Sequence, residues 1–312
     1  RAMIRTAEAT LSCKFDGEPL IVGTSGRYEF RNKGIDIFLD ALKQLAETDA
    51  LDREVLVYIT VPSATTGPRK DLQAHLADEN SPIDPKQNRF CTHYLEHPEW
   101  DQILNSIAGS VLANPSSKVK VVFVPTYLNG RDGIFDKSYY ELLVGMDMTL
   151  FPSYYEPWGY TPLESTAFSV PTLTTTLAGF GLWAGSQGEH EGVTLVARND
   201  DNYAEAAREI AKALLHFTKY TPQEVEIARN AAAELSRTAL WSELYAAYEK
   251  VYSEAIERSV TRTNRAVLND GGGATEQINF VRQQLITEKP HWNRVMVEKV
   301  LPKRLHALEV LS

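Results

Sequence analysis

The sequence predicts an α/β fold: a mostly parallel, doubly wound sheet with helices on both faces. Two observations predict it. Between residues 18 and 200, short apolar runs ending in Gly, Ser or Pro alternate with stretches of helical spacing. The runs are continuously apolar, as strands buried on both faces are. At 312 residues with 43% hydrophobic side chains, the chain can bury the core such a sheet needs.

Leu20 to Thr24 ends in Ser25-Gly26, and Ile35, Phe38, Leu39, Leu42 and Leu45 then follow helical spacing, so a strand, a glycine turn and a helix open the fold. Val55 to Val61, closed by Pro62, and Val119 to Val124, closed by Pro125, read as buried strands. Between them Pro68, Pro82 and Pro85 lie among charges and mark a long excursion before a helix near Trp100 to Ile107. Strands recur at Met146 to Phe151, Thr172 to Thr175 and Val193 to Val196. From Asn202 the pattern is helical, and from Pro222 to Arg258 it barely breaks. Trp241, Tyr245, Tyr248 and Tyr252 fall at i, i+4, i+7 and i+11, the stripe a helix buries against a sheet.

The sheet with its long terminal helices is therefore expected to span 18–260. Residues 1–17 read as the remnant of an interdomain segment, because the chain opens Arg1-Ala2 without Met and without a signal-peptide pattern. The Gly271-Gly272-Gly273 run places a linker at 261–274, and 275–312 resume an amphipathic helical pattern.

A net charge of −9 argues against a sequence-independent nucleic-acid binder, and no stretch has the roughly 18 uninterrupted apolar residues of a membrane span. Cys13 and Cys91 are far apart and lie in no metal-type cluster, which suits a reducing, cytoplasmic location. The seven histidines show no metal spacing, and His93 and His97 read as solvated or capping residues. No metal and no resident cofactor are expected, and homo-oligomer formation stays open.

Two segments carry chemistry. The first strand runs into G-T-S-G-R-Y-E-F-R-N-K-G, Gly23 to Gly34, which is neither a Walker loop nor a dinucleotide fingerprint. It offers two cations, Arg27 and Lys33, at a strand end and a helix start, where backbone amides and the helix dipole already favour an anion. The second, Phe151 to Glu164, is F-P-S-Y-Y-E-P-W-G-Y-T-P-L-E, with Glu156 in a loop and Glu164 eight residues on in the next helix. Together they suit a diphosphate-linked sugar: cations where negative charge develops on the leaving group, carboxylates to read hydroxyls. A glycosidase also uses two carboxylates but needs no basic pair at a neighbouring strand end.

These segments, with T-T-L-A-G-F-G after them, resemble the signature segments of the animal and fungal glycogen synthases, family 3 glycosyltransferases, closely over about 20–46 and 119–185. The resemblance implies a GT-B architecture of two Rossmann-like domains, this chain being the C-terminal, nucleotide-sugar half. It implies that Arg27 and Lys33 hold the distal phosphate, that Glu156 contacts the donor glucose, and that Glu164 holds the ribose hydroxyls. Trp158, Gly159, Tyr160 and Thr161 form the turn whose amides reach the phosphates. Tyr139 takes the place of the base-stacking tyrosine, with Tyr140 the substitute one residue on; stacking does not choose UDP-glucose over ADP-glucose.

The implied reaction is retaining transfer of glucose from UDP-glucose to the non-reducing end of an α-1,4-glucan, with the nucleotide sugar a substrate and the acceptor met by an N-terminal domain outside the chain. A binding module without turnover, or the donor half of a sucrose- or trehalose-phosphate-type synthase, are the alternatives. The family's arginine cluster for glucose 6-phosphate is thinned here to Arg229, Arg237, Lys250 and Arg258, which predicts weak activation by that sugar phosphate. The tail from His291 to Ser312 resembles the opening of a bacterial α-glucan phosphorylase, which would make the parent a fusion.

Overall fold

Each of the apolar runs becomes a strand. The computed structural model describes residues 1–84, 87–188 and 190–270. In chain order the elements are α1 (Ala2–Leu11), β1 (Leu20–Ser25), α2 (Ile35–Ala46), β2 (Val55–Thr60), β3 (Thr65–Pro68), α3 (Lys70–Ala77), β4 (His93–Leu95), α4 (Gln102–Ala108) and β5 (Val119–Phe123). Then come α5 (Tyr139–Leu143), β6 (Met148–Phe151), α6 (Tyr160–Ala167), β7 (Thr172–Thr175), α7 (Gly179–Ser186), β8 (Val193–Val196), α8 (Tyr203–Phe217), α9 (Pro222–Arg237) and α10 (Trp241–Asp270).

Among the described residues the main sheet has the order β5-β2-β1-β6-β7-β8, and its pairings are parallel. It is a doubly wound α/β sheet. Val55, Leu56, Val57, Val121, Val122, Leu150 and Leu173 are fully buried, because helices cover both faces. α2 packs on α8, and Tyr203 donates to Asp40 Oδ2 at 2.8 Å across that contact.

Several boundaries differ from the sequence reading. The first compact unit is Arg1–Leu240, and the described residues from Trp241 to Asp270 belong to a second. α1 packs into the core: Met3, Ala7 and Leu11 belong to the main cluster, and the Met3 carbonyl accepts from the Tyr58 hydroxyl at 2.6 Å. The helical run from 222 divides at Thr238–Leu240, where the Ser236 and Thr238 hydroxyls bond back to Ala233 O and Leu235 O and compete with the helix ladder. In α10 the stripe of Trp241, Tyr245, Tyr248 and Tyr252 is exposed, not buried. The linker placed at 261–274 is helical as far as Asp270, since no Gly or Pro interrupts the sequence before Gly271. The glycine run, the proposed tail helix and the phosphorylase-like segment lie outside the described residues. The excursion between β2 and β5 holds an antiparallel pair, β3 with β4, whose Thr-Thr-Gly-Pro strand has no apolar run to announce it.

Candidate functional site

β1 lies between β2 and β6, so the chain leaves it toward one edge of the sheet and returns on its other side. Strand order reverses there, and the crevice beyond the carboxyl ends of such a pair is where open α/β sheets bind ligands. Arg27 and Lys33 follow β1, and Glu156 follows β6. Lys33 Nζ forms an ion pair with Glu156 Oε2, their side chains only 17% and 18% exposed. Two residues 123 apart in sequence thus meet at the switch point.

Close stitching of the two loops brings them together. Gly34 caps α2 at φ 68°, and a Cβ there would lie 1.9 Å from the Pro152 carbonyl oxygen, so only glycine permits the approach. The Asn32 carbonyl accepts from Tyr154 N at 2.9 Å, and Thr175 Oγ1 donates to Ser153 O at 2.7 Å. Arg198, 5% exposed, donates to the Pro152 carbonyl and lies over the rings of Tyr154 and Tyr203 at 5.3 and 6.0 Å. Burial draws its pKa below the usual arginine value, opposed mainly by Asp36. Asp36 in turn is raised by burial, against the pull of the Ile37 amide and Arg198. Nothing in the local sequence marked Arg198, because its partners lie on other elements.

Glu156 is held in place by its backbone: Gly179 N donates to Glu156 O at 3.0 Å, and Glu156 bridges to Ala178. Gly159 caps α6 at φ 113° with no side-chain cap, leaving the first-turn amides of Tyr160 and Thr161 open to an anion. Tyr160 is exposed and Thr161 half-buried. Trp158 packs on Phe180 and Trp183, with ring centroids at 6.2 and 5.8 Å, and so anchors the turn through its side chain.

Tyr139 and Tyr140 sit in different settings. Tyr139 starts α5 with its hydroxyl 2.8 Å from Ser25 Oγ at the end of β1, and burial pushes its pKa up to about 12. Tyr140 is exposed and stacks on Phe168 at 4.9 Å and 14°, and partial burial together with the neighbouring Glu164 raises its pKa. Glu164 of α6 therefore lies beside the tyrosine pair. Arg27 stands apart: its side chain is 77% exposed, and Nε lies 3.0 Å from Glu29 Oε1.

His93 is neither solvated nor helical. Strand β4 buries it, its Nε2–H donates to Asp132 O at 3.0 Å, and Thr92 Oγ1 lies 2.9 Å from Nδ1. Burial lowers its pKa. Arg229 is engaged by the carbonyls of Ser169 and Met146 and pairs with Asp147 at 3.6 Å. A cavity of about 400 Å³ lined by Leu11, Arg69, Arg89 and Lys120 contains none of the expected site residues. Among the described residues no group of three or more His, Cys, Asp or Glu could hold a metal ion, and no helix is long and apolar enough to cross a membrane.

Residues 84–304 match the glycogen synthase family. The chain belongs to that family. It is similar to the glycogen [starch] synthase of Neurospora crassa, 28% identical over 305 residues covering 78% of this chain and 43% of that protein. The Caenorhabditis elegans glycogen [starch] synthase is 28% identical over 292 residues, 75% of this chain and 43% of that one. The human liver form is 28% identical over 296 residues, 77% and 42%. The chain thus spans less than half the length of the curated relatives it matches. The family match covers α5 to α9, where Glu156, Glu164 and the tyrosine pair lie.

Proposed function

We propose that this chain is the donor-binding half of a retaining glucosyltransferase, a glycogen synthase that moves glucose from UDP-glucose or ADP-glucose to the non-reducing end of an α-1,4-glucan. The observation that carries the reading is the Lys33–Glu156 pair at the switch point, with Arg27 on the same loop. On this reading Lys33 exchanges part of its contact with Glu156 for the distal phosphate, and Arg27 swings from Glu29 to join it. Glu156 then accepts from hydroxyls of the glucose and Glu164 from those of the ribose. The open amides of Tyr160 and Thr161 reach the diphosphate. Cations and amides so placed stabilise the charge that develops on the leaving nucleotide, and no resident cofactor is invoked.

The acceptor is met by protein outside this chain, and the isolated chain binds donor without turning it over. The match to less than half of each relative's length supports that division. Calorimetric titration of the chain with UDP-glucose and ADP-glucose tests the reading. Lys33→Ala should abolish donor binding, and Arg27→Ala should leave the melting temperature unchanged while lowering kcat of the complete enzyme by roughly 10²-fold. Binding of neither nucleotide sugar, or donor binding by Lys33→Ala equal to wild type, would sink it.

A further inference from the structure

We propose that the cavity beside β5, the edge strand of the sheet, is a second binding site, for a phosphate monoester that carries a flat apolar group. The cavity of about 400 Å³ lies between the end of α1, the segment from Leu112 to Pro115 and the first residues of β5. Its volume is within the range of about 300–1,000 Å³ usual for small-ligand sites. Lys120 stands at the amino end of β5, and β2 separates that strand from β1. The donor crevice, past the carboxyl ends of β1 and β6, is therefore a different place, and this site does not depend on the donor reading.

Charge singles the cavity out. Lys120 Nζ donates to the Pro115 carbonyl at 2.5 Å, and Arg89 donates to the Ala113 carbonyl. Both partners are neutral, and among the described residues neither cation forms an ion pair. Arg69 also lines the cavity but is already committed, with Nε and Nη2 on Asp71 at 3.1 and 2.6 Å and Nη1 on the carbonyls of Asn88 and Cys91. It builds the wall. Asp84, the one carboxylate of the lining among the described residues, accepts from Gln87 Nε2 at 3.1 Å. With Arg69 balanced by Asp71, Lys120 and Arg89 outnumber Asp84, so the lining stays positive in a chain of net charge −9.

A lysine and an arginine that each serve one carbonyl keep most of their N–H donors. Both side chains are half-buried, where water screens them less than at the open surface. A phosphate monoester, with its roughly two negative charges near pH 7 and several acceptor oxygens, uses two such cations better than a single carboxylate does. The body of the ligand follows from the rest of the lining. Phe90, Leu112 and Val121 are buried apolar walls, and the Arg89 guanidinium lies over the Phe90 ring at 4.9 Å from its centroid. An anion held by Arg89 therefore has apolar surface beside it, which an aryl group or a nucleobase would cover and a bare inorganic ion would not.

Isothermal titration of the full chain with phenyl phosphate tests the site. Benzoate, with one charge, and inorganic phosphate, with no apolar group, should each bind at least about tenfold more weakly. Lys120→Gln and Arg89→Gln keep an amide donor for the carbonyls but remove the charge. Each should weaken phenyl phosphate by about tenfold or more at an unchanged melting temperature, Lys120→Arg should retain it, and UDP-glucose affinity should not move. Lys33→Ala should leave phenyl phosphate binding intact. No uptake by the wild-type chain, uptake by Lys120→Gln equal to wild type, or loss of uptake on Lys33→Ala each overturns the site. AMP titrated into the Lys33→Ala chain separates the two sources of this chemistry. Uptake that a further Lys120→Gln removes assigns a nucleoside monophosphate, and uptake of phenyl phosphate without AMP assigns a smaller aryl ester.

Discussion

Gly34→Ala tests whether the two site loops are held together by backbone contact. The new Cβ would stand 1.9 Å from the Pro152 carbonyl oxygen, where nothing under 3.0 Å is tolerated, and the obstacle is backbone, not a flexible side-chain end. The loops must therefore part by about 1 Å, and they do so one residue from Lys33. The left-handed conformation alone costs about 1–2 kcal/mol, and forced overpacking adds about 1–3 kcal/mol, so a total of about 2–5 kcal/mol is expected. At about 2–4 °C per kcal/mol for a unit of this size, the melting temperature should fall by about 10 °C. Gly130→Ala supplies the control, because Gly130 has φ 87° and a Cβ there would meet nothing within 4 Å, so it bears the conformational cost alone. Differential scanning calorimetry compares the two, and titration with UDP-glucose reads the site, where at least a tenfold loss is expected for Gly34→Ala alone. A Gly34→Ala chain that melts no lower than Gly130→Ala and binds donor normally would refute the idea that this approach positions Lys33 and Glu156.

Arg198→Met should cost about 1–3 kcal/mol, since it leaves the Pro152 carbonyl without its buried donor and half-buried Asp36 without a nearby positive charge, whereas Arg198→Lys keeps the charge but not the flat contact with Tyr154 and Tyr203 and should cost about half as much; thermal melts rank the two. Both should also weaken donor binding, through the loop that carries Glu156. His93 titrates below its ordinary 6.5 because burial disfavours its cation. The unfolded chain then binds the extra proton, so stability is present above about pH 6.5 and is lost as pH falls through the folded value. Urea unfolding between pH 7.5 and 5 should show that slope, and His93→Gln should flatten it.

Much of this architecture was legible because a parallel strand covered on both faces must be apolar throughout. That is why the runs at 20, 55, 119, 172 and 193 begin at the observed strand starts. Met146 is the exception: its amide closes a turn onto Leu143 O and its side chain fills the space over Gly23, so the strand proper begins at Met148. The aromatic stripe of α10 misled because helical spacing states which residues share a face, not whether anything covers it. At the site, Lys33 and Glu156 could be found because each follows a strand end. Their direct pairing could not, nor could Arg198, which acts across 46 residues on a carbonyl that any side chain might precede.

The two cations expected to act as one pair differ physically. Lys33 is screened from water and fixed by Glu156, in a loop tied to its neighbour at Asn32, Gly34 and Pro152. Arg27 is mostly solvated, and its pair with Glu29 is of the exposed kind, worth about 0–1 kcal/mol. Moving Lys33 disturbs the loop contacts, while moving Arg27 gives up almost nothing. On the proposed reading the donor therefore meets a preorganised ammonium first, and the guanidinium closes over the phosphate afterwards with its planar fork. A fixed cation selects where the phosphate lies. A free one can follow the charge as the bond to the sugar opens, which is when stabilisation accelerates the reaction and not merely the binding.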